Sequence, residues 1–138
     1  MTARCVLALA SVLFLSSCAD GGATTPLPIP TTPPANLVSF NGTLHLRATD
    51  SYLFTVRQSG YVEATLIGLD APPSTTVGLG IGVPGTSGVC AVSQLVTVSA
   101  GPSAQLVGTG LPGALCITIQ DIGNLTAPAV YTITVASS

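Results

Sequence analysis

The sequence predicts an all-β domain, a sandwich or a barrel of about nine short strands, on three observations. Val, Ile, Leu, Thr and Tyr come in short runs whose apolar members recur at every second residue, the period at which strand side chains return to one face. Gly, Pro, Asn-Gly and Pro-Gly punctuate those runs. No long window carries apolar residues at helical spacing with helix formers between them.

The chain of 138 residues divides by composition into three parts, of which the first is an address. Arg4 is the only charge before Asp20, and the segment Val6 to Leu15 is an apolar run interspersed only with Ala and Ser. Such a run suits a signal-peptide core and falls short of the ~20 residues that span a bilayer. Leu15-Ser16-Ser17-Cys18 follows directly and resembles the lipobox of bacterial lipoproteins. The resemblance implies that residues 1–17 are removed and that Cys18 becomes a lipidated N-terminus carrying a diacylglycerol and, in many bacteria, an N-acyl chain. Each buried methylene contributes roughly 0.8 kcal/mol and one chain anchors only marginally, so the implied set of chains is what stable attachment requires. Ala19 in place of an aspartate implies sorting to the outer membrane, facing the periplasm or the cell exterior. An ordinary secretory signal with an incidental cysteine is the competing reading.

Residues 18–35 form the second part, the lipidated cysteine and a linker. Asp20 to Ala35 holds five prolines among Gly, Ala and Thr, with no apolar period. Proline fixes φ and removes an amide donor, so the stretch favours polyproline II at ~3.1 Å per residue, a tether of roughly 50 Å. Disordered or glycosylated filler is the other reading of the same composition.

Residues 36–138 are the size of one compact domain. Strands are expected at Leu37–Phe40, Thr43–Leu46, Tyr52–Arg57, Val62–Ile67, Val77–Val83, Gln94–Val98, Ala104–Val107, Leu115–Gln120 and Val130–Val135. Alternation assigns Tyr52, Phe54 and Val56 to one face and Leu53, Thr55 and Arg57 to the other. Val62, Ala64 and Leu66 oppose Glu63, Thr65 and Ile67, while Tyr131, Ile133 and Val135 oppose Val130, Thr132 and Thr134. In Val77–Val83 four aliphatics are expected on one face and Gly78, Gly80 and Gly82 on the other. Strand glycines cost backbone entropy unless something approaches closely. That something is either a ligand on a flat backbone platform or, more commonly, a neighbouring side chain or loop.

Four cysteines are written, but Cys5 leaves with the signal and Cys18 carries lipid. Cys90 and Cys116 remain, in an exported and oxidising compartment, and are expected to form a disulfide. Closing that loop contributes about 3.5 kcal/mol on the chain-entropy model. Two thiolates and the single His45 fall short of the four ligands of structural zinc.

Three segments carry a second resemblance: Phe40-Asn41-Gly42-Thr43-Leu44, Asp50-Ser51-Tyr52-Leu53-Phe54-Thr55-Val56 and Ser59-Gly60-Tyr61-Val62-Glu63-Ala64-Thr65-Leu66. Together with Leu111 to Ile119 and Val130-Tyr131-Thr132-Ile133-Thr134-Val135, they resemble the bacterial pre-peptidase C-terminal (PPC-like) domain over most of residues 38–136. The resemblance implies a jelly-roll-like antiparallel β-sandwich of about eight or nine strands. Related collagen- and polysaccharide-binding members use acidic clusters for calcium and exposed aromatics for ligand. Here acids are sparse and Trp is absent. Asp50, Asp70 and Asp121 are the candidates for a calcium role, though Asp50 before a strand also suits an Asx turn.

Chemistry is constrained by what is missing. There is no lysine, and a pI near 4.7 with a formal charge of −2 argues against nucleic acid, whose affinity comes from clustered Lys and Arg. His45 reads as a surface histidine, and no serine sits in a G-x-S-x-G elbow. A glycosidase would have to pair Glu63 with an Asp across strands. The sequons Asn41-Gly42-Thr43 and Asn124-Leu125-Thr126 read as chance in a bacterial lipoprotein. The expectation is a lipid-anchored, non-catalytic module without cofactor or metal that binds a polysaccharide or protein surface through a polar but weakly charged Thr/Ser/Gly face. The alternative is a structural or accessory envelope subunit, and a third reading is a cryptic hydrolase.

Overall fold

The computed structural model describes residues 36–138. The expected signal peptide at 1–17, Cys18 and the linker at 18–35 lie outside the described residues. The described residues form eight strands and no helix: β1 (Asn36–Leu44), β2 (Thr49–Val56), β3 (Gly60–Leu69), β4 (Val77–Pro84), β5 (Cys90–Val98), β6 (Leu106–Gly110), β7 (Gly113–Gln120) and β8 (Ala129–Ser137).

The strands make two four-stranded antiparallel sheets, ordered β1-β8-β3-β6 and β2-β7-β4-β5, that face each other across one core. The order follows from folding the chain in half at the β4–β5 turn. That pairs β4 with β5, β3 with β6, β2 with β7 and β1 with β8, and rolling the doubled ribbon drops alternate pairs into alternate sheets. This is the jelly roll. Because successive strands run in opposite directions, the loops collect at two ends. The entry end holds the start of β1, the β2–β3, β4–β5 and β6–β7 turns and the end of β8; the opposite end holds the other four connections.

The alternating pattern puts its apolar face inside. Phe54 and Val56, Val62, Ala64 and Leu66, and Tyr131, Ile133 and Val135 are buried, while Leu53, Thr55 and Arg57 face solvent. Fully burying each aliphatic side chain contributes roughly 1.5–3 kcal/mol, so these strands together hold the two layers.

Two expectations are corrected. The runs at Leu37–Phe40 and Thr43–Leu46 are one strand, β1, continuous through Asn41-Gly42, where Gly42 pairs with Tyr131. Gly42 is needed there for space, since a Cβ would stand 2.6 Å from the Tyr131 hydroxyl and 2.7 Å from that of Tyr52. The strand stops at Leu44, so His45 lies in a turn and not on a strand face; Ala48 N–H donates to the His45 carbonyl at 3.1 Å, and Arg47 adopts φ 57°. Val77, Leu79, Ile81 and Val83 share the face of β4 opposite Gly78, Gly80 and Gly82 as expected, but only the first three are buried; Val83 stands at the entry end of the strand and is 53% exposed.

Candidate functional site

Topology partitions the ionisable side chains. His45 and Arg47 lie in the β1–β2 turn, Asp50 at the start of β2, Asp70 just after β3 and Asp121 just after β7, all at the end opposite the entry. Arg57 follows β2 at the entry end and Glu63 sits on β3. From Ala71 to Gln120 there is no Asp, Glu, Lys, Arg or His. That stretch supplies β4, β5 and β7 of the second sheet and β6, an edge of the first, so one flank of the sandwich is electrically neutral. Val92 and Leu95 on β5 are exposed on it, among Ser93, Gln94 and Thr97, while Val107 on β6 is exposed on the other sheet, opposite Glu63. The sequence reading missed this flank, although a scan for ionisable residues along the chain would have found it.

At one corner of the flank a cleft of about 340 Å³ opens between β4, β5 and the β6–β7 turn, lined by Ile81, Val83, Ser93, Thr109, Leu111 and Pro112 among others. Its walls offer hydroxyls, backbone amides and apolar carbons, with no ionisable group. A second cleft of about 290 Å³, beside the β3–β4 connection, is lined by Ile67, Leu69, Pro72 and Pro73 among others and is also uncharged. Such surfaces recognise through hydrogen bonds and apolar contact, without charge.

The outer face of the second sheet follows from register. Rows run Thr49–Gln120–Gly78–Thr97, Ser51–Thr118–Gly80–Leu95 and Leu53–Cys116–Gly82–Val92. The three glycines of β4 are buried and do not form an open platform. A Cβ on Gly78 would stand 2.7 Å from the Gln120 Cγ, and one on Gly80 would stand 2.7 Å from the Thr118 hydroxyl and 2.9 Å from the Val92 Cγ1. Neighbouring side chains therefore fill the channel, the commoner role of strand glycines.

Gly82 has a different task, because backbone approaches it. A Cβ there would lie 2.6 Å from the Ala91 carbonyl carbon and 2.8 Å from the Val92 Cα. Ser93 is the extra residue between Val92 and Gln94 in the β4–β5 register, and its hydroxyl donates to the Ile81 carbonyl at 3.1 Å. This bulge bends the first residues of β5 across Gly82. Cys90 and Cys116 are thereby brought to a Cα separation of 5.9 Å and bonded. The disulfide buries Cys116 on what would otherwise be a solvent-facing position of β7.

The acids do not converge. The Tyr131 hydroxyl donates to Asp50 Oδ2 at 2.7 Å, so at its 2.6 Å contact with Tyr52 the Tyr52 hydroxyl donates and Tyr131 accepts. Burial, then the Tyr52 and Asp50 contacts, push the Tyr131 hydroxyl far above the ordinary phenol range, so it is a permanent donor. Phe40 stacks on Tyr52 at 4.8 Å between ring centroids. Gly42, Asp50, Tyr52 and Tyr131 thus meet in one network that ties the two sheets together.

Asp121 accepts the Arg47 N–H at 2.8 Å on Oδ2 and the N–H groups of Gly123, Asn124 and Leu125 at 2.8–3.1 Å on Oδ1. The Arg47 amide is the main cause, joined by the other three, that holds this carboxyl below its usual range against the opposing pull of desolvation. Its oxygens organise the β1–β2 and β7–β8 loops. Asp70 is exposed beside β8, its N–H donating to the Val130 carbonyl at 2.8 Å.

Among the described residues no three His, Cys, Asp or Glu side chains gather where they could hold a metal ion. His45 and Glu63 are far apart. His45 follows Leu44, opposite Ala129, while Glu63 stands opposite Ala136 on the same strand, roughly 23 Å along β8 at the strand rise. Asn124 of the second sequon donates its amide to the Thr76 hydroxyl at 2.6 Å, and Asn41 of the first accepts from Thr132 at 2.8 Å. No family model matches the chain, and no curated protein matches it.

Proposed function

We propose that this chain is an exported, lipid-anchored, non-catalytic β-sandwich with a PPC-like domain, held in the bacterial outer membrane through Cys18, that binds an uncharged polysaccharide or protein surface. The observation that carries the binding reading is the neutral flank, where exposed Val92 and Leu95 stand beside hydroxyls and amides on strands that contain no ionisable side chain. An apolar patch rimmed by neutral polar groups favours sugar faces and protein surfaces over ionic ligands. The non-catalytic reading is supported by the separation of His45 from Glu63 and by the engagement of Asp50 and Asp121 in hydrogen bonds within the fold. The anchor rests on the lipobox resemblance at Leu15-Ser16-Ser17-Cys18.

The test is an array of neutral glycans and matrix proteins probed with the protein lacking residues 1–35. Reproducible hits that disappear in Leu95→Lys, with the far-ultraviolet spectrum unchanged, are expected. The open edge of β5 favours one second reading, an accessory envelope subunit that pairs with a strand of another protein; silence on the array would select it. Cys18→Ala should release the protein from membranes, and a variant that still fractionates with them would refute the anchor.

A further inference from the structure

We propose that the entry end of the sandwich rests on a lipid bilayer, with Leu111, Pro112 and Val89 entering the headgroup layer. The inference rests on the lipid-anchor reading and adds an orientation to it. Registers place the start of β1, the β2–β3 turn, the β4–β5 hairpin and the β6–β7 turn at this end: Asn36 pairs with Ser137, Val56 with Gly113, Gly60 with Gly110 and Pro84 with Cys90. The linker that follows Cys18 joins the domain here, at Asn36.

Two independent features of the described residues point the same way. The three most exposed large apolar side chains, Leu111 at 76%, Val89 at 67% and Leu37 at 66%, all lie at this end. They stand on separate elements, the β6–β7 turn, the β4–β5 hairpin and the start of β1, and of the three only Leu111 lines the cleft at the corner of the neutral flank. Scattered apolar tips suit a fluid, compliant surface better than a shape-complementary protein one. The charge map agrees. Arg57 in the β2–β3 turn and Glu63, opposite Ala136 near the end of β8, offset each other towards this end, whereas Asp50, Asp70 and Asp121 lie at the other, roughly 26 Å away along β8. That exceeds the ~8 Å screening length, so those three acids do not repel an anionic membrane surface. Attachment at the same end holds the tips at high local concentration next to lipid, so weak insertion suffices. Docked this way, the domain keeps β5 and the outer face of the second sheet lateral and free for a partner.

The chain contains no Trp, so one introduced Trp reports its own surroundings. The full lipidated protein carrying Leu111→Trp is reconstituted in phosphatidylcholine vesicles with a minor fraction of phosphatidylglycerol and brominated acyl chains. Ile122→Trp, in the β7–β8 connection at the opposite end, is the control, and Val89→Trp is a second reporter should Leu111→Trp fold poorly. The Leu111→Trp and Val89→Trp emissions are expected to shift to the blue and to be quenched roughly two-fold or more, with the Ile122→Trp emission unchanged. Vesicle flotation is measured on the same samples. Protein that floats while its entry-end reporters emit as the Ile122→Trp control does would refute the docking and leave the anchor standing. Protein that does not float, with Cys18 unmodified, would refute both.

Discussion

Replacing Gly42 with Ala tests the reading of β1 as one uninterrupted strand crossed by a tyrosine. The added methyl would stand 2.6 Å from the Tyr131 hydroxyl oxygen, 2.7 Å from that of Tyr52 and 2.8 Å from the Tyr131 Cζ. Comfortable contacts need about 3.5 Å or more, so something must move by close to 1 Å. Tyr131 is poorly able to move: its ring is buried, and its hydroxyl is held by Asp50 at 2.7 Å and Tyr52 at 2.6 Å. Overpacking a core costs about 1–3 kcal/mol, and stretching a hydrogen bond to a carboxylate adds about 1.5 kcal/mol or more. We therefore expect Gly42→Ala to destabilise by about 3 kcal/mol, or roughly 12 °C in Tm for a domain of this size, measured by urea and thermal unfolding followed by circular dichroism. A double-mutant cycle isolates the cause. Tyr131→Phe deletes the closest oxygen, so Gly42→Ala should cost at least about 1 kcal/mol less in that background. Strict additivity, or a Gly42→Ala variant within about 0.5 kcal/mol of the parent, would refute the crossing.

Three further outcomes follow from the same geometry. Cys90→Ala together with Cys116→Ala should lower stability by about 3.5 kcal/mol, and the parent protein in reductant should melt at the same temperature as the variant. Gly82→Ala should cost at least as much, because backbone at Ala91 and Val92 leaves no room, whereas Gly108→Ala, which meets only the Gln94 Oε1 at 3.5 Å, should stay within about 0.5 kcal/mol by denaturant titration. The folded Asp121 carboxyl titrates below its unfolded value near 3.8, so its contribution is complete above that pH and is lost as pH falls through the lower folded value. Asp121→Asn should be less stable at neutral pH and show a shallower fall in Tm between about pH 4 and pH 2.

The fold was legible wherever a strand buries one face. Val62-Glu63-Ala64-Thr65-Leu66 and Tyr131-Thr132-Ile133-Thr134-Val135 alternate because one side meets the core, and the residues expected inside are inside. Legibility failed where glycine served packing instead of turning. Asn41-Gly42 carries hairpin chemistry, but the signal is local and the bulk of Tyr131, far along the chain, decides the outcome. Val83 follows the same alternation as Val77, Leu79 and Ile81 yet is exposed, because it stands at the entry end of β4, and the period of a strand says which face a residue takes but not how far along the strand the core extends. The pairing of Cys90 with Cys116 was legible by elimination, whereas the device that makes it possible, a backbone crossing over Gly82, was not.

The neutral flank was overlooked because each of its strands looks ordinary alone, and only the roll of the chain gathers them on one side. Its physical cost is what supports the binding proposal. An open edge strand without Lys, Glu or Pro in its span invites pairing with other chains, and proteins usually block it with charge. Here the protection is confined to the first half of β5, where the bulge at Ser93 and the disulfide at Cys90 bend the strand across Gly82. Gln94–Val98 remains straight, with Leu95 at 50% exposure. A single lysine at Leu95 would close this edge with little effect on a side chain that contributes little to the core. A disulfide and a bulge that shield one half of β5, beside a second half left neutral and open, support the proposal above that a partner would meet Gln94–Val98 and the adjoining face of the second sheet.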